Sequence, residues 1–281
     1  MPKMTVALFH PGEMGAAIGA CLARTGARVV WASAGRSAAT RLRAGAAGIE
    51  DLESPQRALA AADIALSVCP PHGALELARE VAGKGFRGLY VDANAISPAT
   101  AREVGRVIEA AGAVFVDGGI IGPPPVSGAR SRLYLCGGRA QDVAALFAGS
   151  NLEALALEGP AGAASALKAC YAAWTKGATA LLASIRALAQ HEGVEPALIE
   201  EWKRSQPELP KRSEAVLANA RKAWRWIGEM EEIAASFDAA GLPAGFHLAA
   251  ADVYRRLEEF KDGATPPSFA EVTAALRRAR R

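Results

Sequence analysis

Two lysines in one apolar segment have the type and spacing for proton chemistry. Lys168 and Lys176 lie within 160–191, a stretch dominated by Ala, Leu, Cys, Tyr and Trp. In a helix they would share a face with Ala172, because residues four apart stack along one side. A lysine in this setting could have a lowered pKa and exchange a proton near neutral pH. Both side chains could instead extend to the surface along their methylene stems, and the residues alone leave the two interpretations open.

A second stretch, HPGEMG at residues 10–15, has the pattern of a phosphate-binding turn. Gly12 and Gly15 hold the second and third glycine positions of GxGxxG, and His10 holds the first. Glycines let backbone N–H groups approach a pyrophosphate, and the N-terminus of a following helix favours its charge. The first glycine mainly eases the turn, so His10 could lie beside the phosphates or be an ordinary loop residue. An ordinary tight turn is the alternative to the predicted cofactor site, which comprises His10, Pro11, Gly12, Glu13, Met14 and Gly15.

The segment WASAGRS, residues 31–37, bears on the choice of cofactor. NAD sites usually place a carboxylate at the end of the second strand to bind the ribose 2′-hydroxyl. This segment has no acid and contains Ser33, Arg36 and Ser37 instead. Two hydroxyls and a guanidinium can hold a 2′-phosphate, which a carboxylate would repel. A polar loop with one surface arginine is the alternative, and we favour NADP over NAD.

Short apolar runs rich in β-branched residues alternate with helical segments through the first half of the chain. We predict strands at 5–9, 27–32, 63–69, 88–93, 113–118 and 131–138, and helices at 14–25, 37–46, 73–83 and 98–111. This alternation is typical of βαβ units around a parallel sheet that is buried on both faces. Later segments are helical, at 160–191, 195–204, 213–239 and 245–262. We predict an α/β Rossmann-type, doubly wound domain over 1–159 and an all-α domain over 160–281.

The composition excludes several classes of protein. A net charge of +3 is too small to indicate nucleic-acid binding. The four cysteines lie far apart without a CxxC or Cys/His cluster, which indicates neither a metal site nor a disulfide framework. A reduced, cytoplasmic protein fits this pattern. Glu13 and a Pro-Gly pair interrupt the apolar residues 5–23, so we expect no signal peptide, and no apolar run is long enough to span a membrane.

Five segments occur in an order that resembles one superfamily. They are HPGEMG (10–15), SVCPPHGA (67–74), VDANAISP (91–98), VDGGIIGPPP (116–125) and GPAGAASALKACYAAWTKG (159–177). Together they resemble the 6-phosphogluconate dehydrogenase-like, or β-hydroxyacid dehydrogenase, superfamily. The similarity is greatest to its poorly characterised branch with a short helical C-terminal domain, and it covers essentially the whole chain.

The resemblance implies roles for individual residues. Cys69, Pro70 and Pro71 would lie along the cofactor, and Asn94 would lie near the nicotinamide. Lys168 corresponds to the catalytic lysine of the family motif GxxGxGxxxK, in which Ala164 replaces the last glycine. His247 could reach a cleft, although one histidine on a helix is more often structural. The candidate substrate-binding residues are Gly119, Ile120, Ile121, Gly122, Lys168, Ala172, Lys176 and His247.

Two departures from the family pattern concern the substrate. Ala172 replaces the asparagine usually found four residues after the lysine, and Ile121 replaces the serine of a Ser-Gly pair. Both changes remove polar contacts to a substrate acid. We therefore expect poor use of small hydroxyacids and better use of bulkier or apolar compounds, with Lys176 available to hold an anionic group. The carboxylates of GEMEE, residues 228–232, are expected on a solvated helix face.

These features predict an NADP-dependent oxidoreductase. A hydride would move between the nicotinamide and a small hydroxy or carbonyl compound, with Lys168 as acid or base. An imine reductase-like enzyme and a cofactor-binding protein with little catalytic activity are the alternatives. The apolar helices beyond residue 160 also predict a homodimer formed mainly through that part of the chain.

Overall fold

The computed structural model describes residues 4–126 and 128–278, and the chain divides into two compact units, Met1–Ala169 and Cys170–Arg281. In the described residues the first unit contains one eight-stranded sheet, ordered β3-β2-β1-β4-β5-β6-β7-β8. All neighbours are parallel except β6 and β7, which are antiparallel. The strands are β1 (Thr5–Phe9), β2 (Arg28–Trp31), β3 (Glu50–Asp51), β4 (Ile64–Ser67), β5 (Leu89–Asp92), β6 (Val114–Ile121), β7 (Ser131–Cys136) and β8 (Leu152–Ala156).

Helices cover both faces of the sheet. They are α1 (Glu13–Arg24), α2 (Ala38–Ala46), α3 (Pro55–Ala60), α4 (Ala74–Gly83), α5 (Pro98–Ala110) and α6 (Ala140–Ala145). Successive residues of β1 point to opposite faces, so Val6 and Leu8 pack with α1, α2 and α6, whereas Ala7 and Phe9 pack with α3, α4 and α5. Burial on both faces explains the continuous apolar runs of the central strands, and the predicted doubly wound fold is confirmed.

The reversal in strand order is expected to create a crevice at one edge of this sheet, namely the edge formed by the carboxyl ends of the strands. From β1 the chain builds outward through β2 and β3, then crosses to β4 on the other side of β1. In doubly wound sheets, ligands bind at the carboxyl ends of the strands that flank such a reversal. The turns that follow β1, β2, β4 and β5 all reach this edge, and they contain the predicted cofactor residues.

The second unit is helical, as predicted. Arg186 pairs with Glu195, and its guanidinium stacks on Phe269 at 3.6 Å from the ring centroid. Tyr254 donates a hydrogen bond from its hydroxyl to the carbonyl of Lys176 at 2.6 Å. None of the described helices is both long and apolar enough to cross a membrane. The helices are α7 (Ala163–His191), which begins in the first unit, α8 (Glu195–Ser205), α9 (Leu209–Ser213), α10 (Ala215–Asn219), α11 (Trp226–Ala239), α12 (Gly245–Arg256) and α13 (Phe269–Arg277).

The division between the compact units falls at Ala169, inside α7, whereas the sequence pattern places the domain boundary at 159. The difference has a structural cause, because the beginning of α7 packs directly on β6. A β-carbon added to Gly119 would lie 2.6 Å from the carbonyl oxygen of Ala164. This close contact assigns the first turns of α7 to the first unit.

Alanine substitution at two helical glycines should change the free energy of unfolding in opposite directions. Among the described residues, a β-carbon on Gly45 would meet no atom within 4 Å beyond its own stretch of helix, whereas one on Gly105 would lie 2.8 Å from Cδ1 of Phe115. Gly45→Ala should raise the free energy of unfolding by about 0.5–1 kcal/mol through reduced backbone entropy loss. Gly105→Ala should lower it by about 1–3 kcal/mol, because the ring must move. Urea denaturation measures both changes, and equal effects would contradict the packing of α5 on β6.

Candidate functional site

The turn between β1 and α1 begins with an unusual backbone conformation. His10 has a φ of +63°, in the left-handed region that glycine tolerates best. Its carbonyl accepts a hydrogen bond from the Gly12 N–H at 2.7 Å, and a β-carbon on Gly15 would lie 2.5 Å from the same oxygen. Residue 15 must therefore be glycine for α1 to start this close to the turn. The other predicted residues here are Pro11, which is buried, Glu13, which is exposed, and Met14, which is half-buried.

The His10 side chain is partly buried at the same edge. Its left-handed backbone costs about 1–2 kcal/mol relative to the usual regions. Burial and the positive charge of Arg36 lower the pKa of His10 to about 4, so the imidazole is neutral at pH 7. Within the described chain, the solvent-shielded Nδ1 of His10 has no hydrogen-bond partner. One ring nitrogen of this imidazole is thus buried without a hydrogen bond in the described chain.

A cavity of about 240 Å³ lies beside this turn. His10 and Arg36 both line it, together with Gly35, Pro55 and Glu80. The turn after β1 and the loop after β2 therefore contribute to one cavity. Of the three residues predicted to hold a 2′-phosphate, Arg36 is the one that lines it.

The two predicted serines are engaged elsewhere. Ser37 is the N-cap of α2, and its hydroxyl accepts a hydrogen bond from the Thr40 N–H at 3.3 Å. Ser33 is buried, and the carboxylate of Asp51 accepts hydrogen bonds from its hydroxyl and, at 3.2 Å, from its N–H. The contact of both serines with a 2′-phosphate stays a prediction. The sequence did not reveal Asp51, because the short strand that contains it has no apolar pattern.

A further arginine lies at the glycine turn and was not predicted. Arg43 of α2 donates a hydrogen bond from Nη1 to the carbonyl of Pro11 at 3.4 Å. An anionic group at this turn would therefore find a second guanidinium nearby, in addition to Arg36. The close approach at Gly15, the start of α1 and the two arginines fit the phosphate groups of a dinucleotide.

Asn94 follows β5, and its side chain is fully engaged by its neighbours. Its Oδ1 accepts a hydrogen bond from the Cys69 N–H at 2.6 Å. Its Nδ2 donates to Oγ of Ser67 at 2.8 Å and to Oδ2 of Asp92 at 2.9 Å. Because Asn94 is also buried, it braces the turn after β4. The position of Asn94 near a nicotinamide stays a prediction.

The turn after β4 contains the remaining predicted cofactor residues. Cys69 is buried, and this burial raises the pKa of its thiol to about 11, so the thiol is uncharged at neutral pH. Pro70 is exposed and Pro71 is partly exposed. The two prolines thus form the accessible part of the turn, with Cys69 and Asn94 beneath them. Their contact with a cofactor stays a prediction.

Two buried carboxyl groups lie side by side where β5 and β6 pair. Asp92 is opposite Asp117 in the register of these strands. Burial raises the pKa of Asp92 to about 7, and the charge of Asp117 acts in the same direction. Asp117 accepts hydrogen bonds from the N–H of Ser165 at 3.0 Å and from its hydroxyl at 2.5 Å, while burial raises its pKa as well. The sequence did not reveal this pair, because the two residues are separated by a helix.

Lys168 lies one turn after Ser165 in α7 and is partly exposed. A β-carbon on Gly119 would lie 3.0 Å from Cβ of Lys168, so a glycine there lets the helix rest directly on β6. The hydrogen bonds between Asp117 and Ser165 fix the rotation of this first turn. Lys168 therefore has a defined position over β6, and its catalytic role stays a prediction.

The predicted substrate residues 119–122 are the end of β6 and the residue after it, and all but Gly122 are buried. Ile120 packs in the core on the α1 face of the sheet, and its contact with a substrate stays a prediction. Ile121 is also buried. Gly122 has a φ of +123°, and a β-carbon there would lie 2.6 Å from Oγ of Ser131. The roles of Gly119, Ile121 and Gly122 stay predictions.

In the second unit, Lys176 is paired with a carboxylate. It forms an ion pair with Glu229 of α11, and the exposed fractions of the two side chains are 15% and 9%. Its Nζ also lies 5.2 Å from the ring centroid of Trp226. The expectation that the GEMEE carboxylates are solvated is wrong for Glu229. Lys176 is not an uncommitted cation, because a buried partner already offsets its charge.

Ala172 and His247 are the other predicted residues of the second unit. Ala172 is buried within α7. His247 of α12 is also buried, packs on Phe237 with ring centroids 4.2 Å apart, and has a pKa lowered by this burial. The imidazole is therefore a neutral core group at pH 7, and its contact with a substrate stays a prediction.

Two family models match the chain. Residues 5–156 match the NAD binding domain of 6-phosphogluconate dehydrogenase, and residues 189–257 match a domain of unknown function, DUF1932. A curated relative from Methanothermus fervidus, an uncharacterized 28.5 kDa protein in the 7S RNA 5′ region, is 28% identical over 166 residues. The match covers 59% of this chain and 63% of that relative, so the chain spans less than two thirds of its length.

Several solved structures are similar over nearly the whole chain. The conserved protein MTH1747, of unknown function and similar in structure to 3-hydroxyacid dehydrogenases, is 26% identical with a TM-score of 0.69, covering 92% of this chain and 99% of its own. The 3-hydroxyisobutyrate dehydrogenase of Mycobacterium tuberculosis is 22% identical with a TM-score of 0.71, covering 98% and 100%. An imine reductase from Bacillus cereus is 18% identical with a TM-score of 0.57, covering 99% and 100%. The last two similarities concern the fold alone.

The buried carboxyl pair predicts a pH dependence of stability. The pKa of Asp92 is about 7 in the folded chain and near 4 when unfolded, so the folded state retains a proton between these values. The free energy of unfolding should therefore fall as pH rises from about 4 to about 7, by up to about 1.4 kcal/mol per pH unit from this group. Asp92→Asn should flatten this slope, whereas Asp142→Asn, at an exposed position, should not. Urea denaturation across this range measures the slopes, and identical slopes in the wild type and Asp92→Asn would contradict the assignment.

Proposed function

The chain belongs to the family of the NAD binding domain of 6-phosphogluconate dehydrogenase, and from this premise we propose that it is an NADP-dependent oxidoreductase. Its proposed substrate is a small hydroxy or carbonyl compound, and Lys168 is the proposed acid or base. The match at residues 5–156 makes the first unit an NAD(P)-binding Rossmann domain of the β-hydroxyacid dehydrogenase type. A cytoplasmic location is part of the same proposal.

The cavity beside the turn after β1 is the observation that carries the choice of NADP. Arg36 lines it, and no aspartate or glutamate stands at the end of β2, where NAD-binding domains usually have one. Asp51 is nearby on β3, but its Oδ1 accepts hydrogen bonds from the N–H groups of Ser33 and Glu53. This carboxylate therefore braces the loop that carries Arg36. A guanidinium in the cavity favours a ligand with a 2′-phosphate.

The chain's own residues would hold the cofactor and move the proton. Bound NADP supplies the nicotinamide, which accepts or donates a hydride. The turn at 10–15 and the N-terminus of α1 would hold the pyrophosphate, and Arg36 the 2′-phosphate. Lys168 would exchange a proton with the oxygen or nitrogen of the substrate. Asp117 supports this step indirectly, because its hydrogen bonds to Ser165 hold the first turn of α7 in place.

The substrate is proposed to bind without the carboxylate contacts of small hydroxyacids. Ile121 and Ala172 cannot donate side-chain hydrogen bonds, and they stand where the family resemblance expects serine and asparagine. The charge of Lys176, which could have replaced those contacts, is already offset by Glu229. A bulkier or more apolar substrate fits this set of residues better than a small acid does.

Imine reduction is the second candidate. The loss of hydroxyl and amide donors at residues 121 and 172 favours a substrate that needs no carboxylate contact, and imine reductases share the fold. The presence of Lys168 favours a hydroxy or carbonyl substrate, because the family resemblance implies that this lysine donates a proton to a substrate oxygen. A protein that binds the cofactor with little catalysis is the remaining alternative, and a substrate panel distinguishes the three.

We further propose that the chain is a homodimer formed through its helical part. Four large apolar side chains of α7 are exposed, and their spacing of three, seven and seven residues places them along one side of the helix. A continuous apolar stripe of this kind is typical of a contact surface. The exposed fractions are 48% for Tyr171, 62% for Trp174, 57% for Leu181 and 61% for Leu188.

The role of Arg36 is tested by replacing it. Arg36→Ala should weaken NADP binding by about 1.5–3 kcal/mol, because a charge-assisted hydrogen bond to the 2′-phosphate is lost. NAD binding should change little. Arg57→Ala removes an exposed arginine that pairs with Glu53 and serves as the control. Isothermal titration calorimetry gives the dissociation constants; equal losses for both cofactors, or a wild type that prefers NAD, would contradict the assignment.

The role of Lys168 is tested by turnover on a panel of alcohols, ketones and imines. Lys168→Ala should lower kcat by about 10²–10⁴-fold on every substrate, because positioned proton transfer contributes roughly this much. The dissociation constant of NADP should stay unchanged, and Lys203→Ala, at an exposed position of α8, should behave as wild type. Wild type should turn over 3-hydroxyisobutyrate poorly. Unchanged turnover in Lys168→Ala would remove the lysine from the mechanism, and efficient use of small acids would contradict the proposed substrate.

The apolar stripe of α7 predicts the assembly. The double variant Leu181→Asp and Leu188→Asp should be monomeric, because each carboxylate would have to lose its water in the interface. Leu42→Asp is the matched control, since Leu42 of α2 is a leucine with a 76% exposed fraction in the first unit. Sedimentation velocity measures the mass of each species. A wild type that remains monomeric at every concentration, or a double variant that remains dimeric, would exclude this interface.

A further inference from the structure

His10 has unusual properties among the residues at the cofactor edge, by which we mean the carboxyl ends of the strands where the cofactor is proposed to bind. It has a left-handed backbone at a position where glycine would be unstrained, and it lines the cavity that Arg36 also lines. Its Nδ1 is shielded from solvent and finds no acceptor or donor among the described residues. Backbone outliers and unsatisfied buried polar atoms are uncommon, and both are concentrated at sites that bind ligands.

The charged groups around this imidazole come from three elements. Arg36 lines the cavity from the loop after β2, and Glu80 lines it from α4. Glu80 also pairs with Lys84 at 3.7 Å, which offsets part of its charge. Arg43 of α2 reaches the carbonyl of Pro11, the residue next to His10. Arginine thus predominates near the imidazole, and both burial and Arg36 keep it neutral in the ligand-free chain.

We propose that His10 and Arg36 together bind the 2′-phosphate of NADP, and that His10 takes up a proton from water when this group binds. The proposal rests on the proposed function, because it requires NADP to be the ligand. The 2′-phosphate would offset the charge of Arg36 and attract a proton to the neighbouring imidazole. His10 would then be an imidazolium that donates a hydrogen bond to a phosphate oxygen.

This inference makes His10 a residue that determines cofactor specificity. A neutral imidazole contributes little to the binding of NAD, because NAD has a 2′-hydroxyl in place of the phosphate. The same imidazole would gain a charge with NADP, so the preference for NADP should increase as pH falls. The pyrophosphate is the other anionic group of the cofactor, and it is common to NAD and NADP. A proton taken up with both cofactors would therefore identify the pyrophosphate as the partner of His10.

The test is the number of protons taken up on binding. Calorimetric titrations near pH 6.5, in buffers with different ionisation enthalpies, give this number for NADP, NAD, 2′,5′-ADP and 5′-ADP. The 2′-phosphate itself titrates in this range, so the informative quantity is the difference between wild type and His10→Asn. Asparagine tolerates the left-handed backbone, and it lacks a group that titrates here. His191→Gln, at an exposed histidine of the second unit, is the control.

When NADP or 2′,5′-ADP binds, wild type should take up more protons than His10→Asn does, by up to about one per site. When NAD or 5′-ADP binds, the two proteins should take up the same number. NADP should also raise the pKa of His10 from about 4 towards neutrality, seen in the histidine ring resonances of wild type. His10→Asn identifies the resonance among the four histidines. Equal uptake in wild type and His10→Asn, uptake with NAD, or an unchanged pKa would overturn the inference. Wild type that binds NADP no better than NAD would instead overturn the proposed function, and the inference with it.

Discussion

The contact between the first turn of α1 and the carbonyl of His10 is the constraint on which the cofactor edge depends. A side chain at residue 15 would place its β-carbon 2.5 Å from that oxygen, so the helix reaches this position only because the residue is glycine. In the same turn His10 has a left-handed conformation, and it lines the cavity that Arg36 also lines. A pattern that lacks the first of three glycines can thus still form the turn, at the cost of local backbone strain.

A chain of buried polar contacts supports this edge from behind. Ser67 and Cys69 at the end of β4 bind Asn94, which binds Asp92 at the end of β5. Asp117 of β6 stands beside Asp92 and binds Ser165 at the beginning of α7. These contacts place the accessible prolines after β4 and the proposed catalytic lysine of α7 on one rigid framework. Such a network is stable when its buried polar groups find partners, and the Asn94 side chain does so through Cys69, Ser67 and Asp92.

The sequence predicted the parts of the fold that depend on local pattern. Strands such as β1 and β4 and helices such as α1 and α5 were located to within a few residues, because each has a clear apolar period. The strand Glu50–Asp51 and the short helices α3 and α6 were missed, since they are too short to show one. The helix expected at 213–239 is divided, and a 3₁₀ segment, Ala220–Arg225, separates α10 from α11.

The sequence predicted the site residues less completely than the fold. Arg36 and His10, which line one cavity, were selected because their positions relative to the first two strands are informative. The contacts of Ser33 with Asp51 and of Lys176 with Glu229 were not predicted, because each depends on a partner that only folding brings close.

Amide hydrogen exchange with and without cofactor is the most direct test of the proposed cofactor site. NADP should protect amides in both 10–16 and 33–37, whereas NAD should protect 10–16 more than 33–37. NADP binding that leaves both segments unprotected would contradict the assignment of this edge as the cofactor site.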